Sequence, residues 1–396
     1  MRFNNTMLGG RIKQFRCARG LSQDMLVDKI GGIVSKQSIS KYEREVTLPS
    51  PRILNKIAKA LDVKAASLWK EPSFNVEFIA YRKGSGLNTI EQEKIEAQVQ
   101  ETLEKCMKIS ELRNCNAKVD IPVNAFPITQ IEDAEEAAEY LRESWSLGVD
   151  PIANVTAMLE GKNVFVLEID APDSFDGISA FAKDVNGKKV VAAAVVSAND
   201  RSGERQRLNL VHELGHLVLK MPEEADSKFE ENAAFRFGSA LLAPKEAIYN
   251  EVGRKRTSLS IEELILLKER FGLSLQALVM RLNVLDIVSD SYKKDFFFFI
   301  NKQGWKRTEP KELEPEKATW IKKNVLMALS ESLISHRQAE QLLGKKIDVG
   351  EDVPGKRRGF MMLSLSERNK ILSTQAKKAD YELDQDWLDM GEDYES

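Results

Sequence analysis

Histidine and cysteine are the residues this chain has least of, three of each in 396 positions. Cys17, Cys106 and Cys115 are an odd set without the close paired spacing of a zinc site or a secreted disulfide framework, so they read as reduced, structural thiols. Long apolar runs are missing too. The longest, Val190 to Val196 and Phe296 to Ile300, fall far short of the roughly 20 residues that span a bilayer. The first twenty residues have no apolar core of the kind a secretory leader needs, and the expectation is a cytoplasmic protein with no membrane partner. No fixed-period repeat is found, which argues against a solenoid or propeller.

What is present is a soluble composition, 42% hydrophobic and 30% charged, on a length that suggests two to four domains. Its charge is unevenly placed. Residues 1–70 hold fourteen Lys and Arg against five Asp and Glu, an excess of nine, so with the whole chain at −3 the remainder carries −12. A basic module on an acidic body points to a polyanion partner for the first segment. At the other end Asp380 to Ser396 has eight acidic residues and no basic one; it reads either as a solvated terminus or as a docking segment able to fold back on the basic module.

Punctuation divides the chain. From Leu8 to Trp69 short helices follow one another: Gly20 stops the first, Ser22 caps the second, Ser35 the third after Gly31-Gly32, and Ser50 with Pro51 opens the fourth. Pro72 marks a boundary, and Thr89 to Leu112 is a long charged helix that packs onto the globular unit beyond it. An amphipathic helix runs from Ile131 to Trp145, after which Asp150 and Pro151 predict a further helix start. Strands are predicted at Val164 to Ile169 and Lys189 to Ser197. Beyond Pro244 come helices from Ile261 to Phe271 and on to about Leu285. A separate mixed segment then has an aromatic strand at Phe296 to Ile300 and helices after Glu316. The expected division is 1–72, a helical connector over 73–130, a catalytic unit over 131–290, and a C-terminal segment over 291–396.

Two of the three histidines, His212 and His216, stand four residues apart, so on a helix both imidazoles leave one face and can hold a single metal ion. Glu213, next to the first of them, can take the proton of a metal-bound water and return it to a leaving amine, the metal having lowered the pKa of that water to about 7. A catalytic zinc wants three protein ligands and an open position. Glu223, Glu224, Asp226, Glu230 and Glu231 are the candidates downstream, and periodicity favours Glu231, which shares a helical face with Ala234, Phe237, Gly238 and Leu241. Gly215 lets neighbouring backbone pass close to this helix. His336, far away, reads as a surface residue. Zinc is the metal expected from the ligand types, with manganese the other choice. Arg205, Arg207 and Tyr249 are candidates for stabilising an oxyanion.

The stretches Arg205 to His216 (RQRLNLVHELGH), Glu231 to Pro244 (ENAAFRFGSALLAP) and Trp145 to Val155 (WSLGVDPIANV) resemble the ImmA/IrrE metallopeptidase family over roughly residues 75–290. The resemblance implies a metal-dependent peptidase of mainly α, α+β class, zincin-like with a small sheet, and gives Glu231 as the third ligand. It also implies that the helical pair at Glu262 to Leu285 is part of the body. Leu208-Asn209 and Phe235-Arg236-Phe237-Gly238 depart from the family's usual residues, which leaves the ligands untouched and bears on substrate contacts.

Residues 7–69, with Gly20-Leu21-Ser22-Gln23, Ile39-Ser40, Glu43 and Ala58-Lys59-Ala60-Leu61, resemble the five-helix Xre or lambda-repressor type of helix-turn-helix. Ser35, Lys36, Gln37 and Ser38 open its third helix, whose first side chains would reach base edges in a major groove. Gln37 suits adenine, Lys36 suits guanine or phosphate, Lys41 and Arg44 suit the backbone, and Gln23 can anchor a phosphate. The partners expected are therefore double-stranded operator DNA, bound by a homodimer, and a protein substrate. The leading expectation is a DNA-binding regulator whose zinc endopeptidase cleaves a repressor, a partner or its own chain on a signal, the strand Lys189 to Ser197 serving as the edge that receives the substrate. A second expectation is a repressor or antitoxin with a structural or vestigial metal site that binds a cognate toxin.

Overall fold

In the computed structural model, which describes residues 8–79, 87–114, 119–172, 174–199, 201–347, 365–370 and 373, five short helices come first. They are α1 (Leu8–Ala18), α2 (Gln23–Lys29), α3 (Lys36–Glu43), α4 (Pro51–Ala60) and α5 (Ala65–Trp69). Ser22, Ser35 and Ser50 stand in extended backbone and accept hydrogen bonds from the N–H groups of Met25, Ser38 and Ile53, caps worth about 1 kcal/mol each. Ile12, Leu26, Ile39, Ile57, Leu61 and Leu68 close the core of this unit. Arg16 ties α1 to α3 through both oxygens of Glu43.

The body continues with β1 (Phe74–Ile79), α6 (Thr89–Leu112), β2 (Phe126–Pro127), α7 (Asp133–Ser144), α8 (Val155–Gly161), β3 (Val164–Ile169), β4 (Gly177–Asp184) and β5 (Val190–Ala198). After it come α9 (Gly203–Val218), β6 (Leu219–Lys220), α10 (Ser227–Leu242), α11 (Lys245–Val252), α12 (Ile261–Phe271), α13 (Leu275–Val284), α14 (Asp290–Gln303), α15 (Trp320–Ser330) and α16 (His336–Leu343). A four-stranded sheet has the order β1-β4-β5-β3, parallel between β3 and β5 and antiparallel elsewhere, and β2 pairs with β6. Both faces of the sheet are covered. Ile95, Val99, Leu103 and Cys106 of α6 pack on one, and Leu210, Val211, Leu214 and Leu217 of α9 pack on the other. That double cover is why β5, VVAAAVVSA, is apolar almost throughout rather than alternating.

Four expectations are corrected. The connector is not wholly helical: Phe74, Val76 and Phe78 alternate inward, and β1 adds to the sheet beside β4, a strand whose small residues gave no alternating signal. The strand predicted from Lys189 is β5, and it lies inside the sheet between β4 and β3, so it offers no edge. Phe296 to Ile300 is helical: Ser289 caps α14, Gly304 ends it, and Phe296 and Ile300, one turn apart, are the buried pair. Asp150 caps nothing; α8 starts later, its Asn154 accepting from the Ala157 N–H and Glu316 accepting from those of Val155 and Thr156 at 3.0 and 2.7 Å. A short apolar run does not reveal its period, and a cap delivered from 160 residues away leaves no local trace.

Residues 291–343, expected to belong to a separate segment, pack onto the body. Glu309 caps α13 through the Leu275 N–H at 2.7 Å and, with Glu204 of α9, holds the buried ammonium of Lys268 at 3.0 and 2.7 Å. Glu316 also pairs with Arg207 of α9, with both side chains buried. The compact unit therefore runs to Leu343, and residues 344–396 form a second one, of which 344–347, 365–370 and 373 are described. Asp380 to Ser396 lies outside the described residues. Among those described, no helix is long and apolar enough to cross a membrane.

Candidate metal centre and nucleic-acid interface

Helices α9 and α10 cross where neither has much of a side chain. A methyl on Gly238 would stand 3.2 Å from the His212 backbone nitrogen, and one on Gly215 would stand 3.3 Å from the Ala234 Cα. This close approach brings Glu231, on the first turns of α10, over the two histidines of α9. Nε2 of His212 and Nε2 of His216 are 3.2 Å apart, and the Glu231 carboxylate oxygens lie 3.4 Å from the first and 3.7 Å from the second. Ligands about 2.0–2.1 Å from a tetrahedral ion sit about 3.3 Å from one another, so the three atoms fit one zinc. They are the one such group among the described residues. Both imidazoles are buried and the Glu231 side chain is 24% exposed, which leaves the approach open on the Glu231 side.

Glu213 is buried next to this group, against β4: a methyl on Gly177 would stand 3.0 Å from its Oε1. A Cβ at this position would push the carboxylate aside by a few tenths of an ångström. Asp176, just before Gly177, is bound to α9 through Arg205, at 2.5 Å, and through the Asn209 amide, which donates to its carbonyl at 3.0 Å. Of the other acidic candidates, Asp226 caps α10 and Glu223 and Glu224 are exposed; neither they nor Glu230 join the group. The oxyanion candidates are engaged elsewhere: Arg205 with Asp176, Arg207 with Glu316, and the Tyr249 hydroxyl with the Leu285 carbonyl at 3.5 Å. His336 is exposed on α16.

Two further neighbours of the site were not among the candidate site residues. Phe235 lies with its ring centroid 4.1 Å from that of His212 while 40% exposed, an aromatic wall on the open side. Its place one turn after Glu231 was available as a signal. Gly177 was not, because its importance comes from a strand packed across a helix.

On the first unit, Ser35, Lys36, Gln37 and Lys41 project from α3 and the turn before it, with Arg44 at its end; all five are exposed, and Ser38 is half-buried. Ser35 and Ser38 bond each other through their hydroxyls at 3.1 Å, Lys36 meets Asp24 at 2.6 Å in an exposed pair, and Arg44 donates back to the Ser40 carbonyl. Gln23 is committed differently. Its amide donates to Glu43 at 2.8 Å, extending the Arg16–Glu43 clamp, so the side chain expected to anchor a phosphate is held inside the unit.

A helix-turn-helix family model matches residues 12–68, and an IrrE N-terminal-like domain model of a peptidase family matches residues 182–283. The chain joins an Xre-type helix-turn-helix to an IrrE-like peptidase domain. Over 66 residues the chain is 41% identical to the HTH-type transcriptional regulator SinR of Bacillus licheniformis and, equally, to that of Bacillus subtilis strain 168. The match covers 16% of this chain and 58% of each regulator. The IrrE-like match takes in α9 to α13, and so His212, Glu213, His216 and Glu231, but not β1 or β3. The α12–α13 pair inside it is packed into the body through Leu264, Leu267, Phe271, Leu278 and Leu282.

Proposed function

We propose that the chain is a transcription regulator that binds operator DNA as a homodimer in the cytoplasm and carries a zinc-dependent endopeptidase acting on a repressor, a partner or its own chain when a signal arrives. The observation that carries the peptidase half is the convergence of two imidazoles and one carboxylate at tetrahedral spacing with a second carboxylate buried beside them. A purely structural metal has no use for that second carboxylate. Bound between His212, His216 and Glu231, zinc would supply Lewis acidity for amide hydrolysis. Glu213 takes the proton of the attacking water and delivers it to the departing amine nitrogen. Phe235 faces the approach and would pack against an apolar side chain next to the scissile bond.

The DNA half rests on the excess of nine positive charges in residues 1–70 and on the exposed residues at the start of α3, with the likeness to SinR in support. The test is proteomics of native cells that express the wild type or Glu213→Gln. A fragment found only with wild type is expected. No such fragment under any growth condition would leave a DNA-binding repressor or antitoxin with a structural metal.

A further inference from the structure

A peptidase of this kind receives its substrate as an added strand, and the strand beside the metal helix is β4, whose first residue touches Glu213. One side of β4 is bonded to β5. The other is taken from Ser179 to Asp184. β1 pairs with it from Phe74↔Asp184 to Ile79↔Ser179, antiparallel, running toward the end of β4 where Gly177 meets Glu213. Its side chains alternate as a docked strand's would, with Phe74, Val76 and Phe78 packed inward and Asn75 and Glu77 exposed.

We propose that β1 is an internal occupant of the substrate-binding edge, so that the resting chain is closed to extended substrates until β1 leaves β4. This rests on the peptidase reading above and adds its regulation. The substrate class follows from what β1 satisfies: an extended segment with apolar residues at alternate positions, paired antiparallel to β4. The position of β1 in the chain names what would move it. Four residues, 70–73, join it to α5, the last helix of the helix-turn-helix unit. That unit is docked on α6 by ion pairs of Arg11 with Glu104 (2.5 Å) and Lys13 with Glu93 (2.9 Å), and by Arg19 with Glu101. A partner or DNA that pulls the unit off α6 pulls on β1.

The test uses the full zinc-loaded chain. Val76→Pro with Glu77→Pro opens the ladder, because consecutive N–H groups point to opposite sides and one of the two must be a ladder donor. Asn75→Cys with Lys183→Cys, facing residues on the two strands, locks the ladder reversibly when oxidised. The probes are fluorescein-labelled casein for hydrolysis and, on a Glu213→Gln background, a labelled peptide of residues 71–79 for binding. The opened chain is expected to bind the peptide and hydrolyse casein at least ten-fold better than wild type; the oxidised lock should suppress both and reductant should restore them. An opened chain that retains zinc and shows faster hydrogen exchange in β4, yet gains neither, overturns the proposal. If the opened chain cannot hold zinc, the lock decides, and binding and hydrolysis indifferent to reductant overturn it. Peptide binding that requires opening, without any Glu213-dependent hydrolysis, supports occupancy of the edge and sinks the peptidase reading instead. Wild type that hydrolyses casein as fast as the opened chain leaves the peptidase reading and removes this one.

Discussion

The two ends of this molecule's proposed activity are built in opposite ways. Apart from Gln23 on α2, the helix-turn-helix places its candidate DNA contacts between Ser35 and Arg44, on the eight-residue helix α3 and its two ends, over a small core that they do not enter. The metal centre places its ligands on two helices, buries the imidazoles, and relies on glycines for the helix approach. An exposed site can change residue by residue with little effect on folding. A buried one shares its atoms with the core, so chemistry and stability are coupled there.

The comparison predicts a ranking of effects. The largest is at the metal: purified wild type should carry about one zinc per chain by mass spectrometry, His212→Ala or His216→Ala should carry none, and Glu231→Ala should bind it much more weakly. Glu213→Gln should keep the zinc and lose hydrolysis by roughly 10²-fold or more. Loss of zinc in Glu213→Gln with retention in Glu231→Ala would exchange the roles of the two carboxylates. Next comes the crossing: Gly238→Val wedges α9 from α10, and should cost about 1–3 kcal/mol by urea unfolding while also lowering zinc affinity. A stable Gly238→Val chain with unchanged zinc affinity would break the claimed coupling. The smallest effect on folding belongs to Lys36→Ala with Gln37→Ala, within about 0.5 kcal/mol of wild type. Its discrimination between the chain's own promoter and mismatched DNA should fall by about 1–3 kcal/mol per lost base contact. Uniform weakening on all DNA, without loss of preference, would show that α3 does not read bases.

Acid stability sharpens the same contrast. Burial pushes the Glu135 carboxyl up, but Arg281 and Arg236, bonded to it, outweigh that and hold it below the usual carboxylate range. A carboxyl depressed in the folded state stabilises above its unfolded value of about 4.3 and loses that contribution as pH falls below it. The body, which Glu135 pins together across α7, α10 and α13, should therefore lose stability below about pH 4, and Glu135→Gln should flatten that fall. A pH profile unchanged by Glu135→Gln would remove the assignment.

Local patterns settled a good deal on their own. The serine caps that start α2, α3 and α4, the four-residue spacing of His212 and His216, the turn of α10 that carries Glu231, and the length of α6 are all signals within one helical stretch, where 3.6-residue periodicity and side-chain capping act directly on the chain. The sheet's order was not readable, because strand pairing depends on which apolar faces find one another across a hundred residues. So β5 went inside, β1 came from the connector to cover β4, and a predicted strand at Phe296 became a helix once its ends were capped. Tertiary structure alone decided that Gly177 lies against Glu213, that Glu309 and Glu316 reach back to hold α13, α8 and α9, and that β1 pairs with β4 on the side away from β5. Contacts of that kind are a matter of distance in space, which no spacing along the chain records.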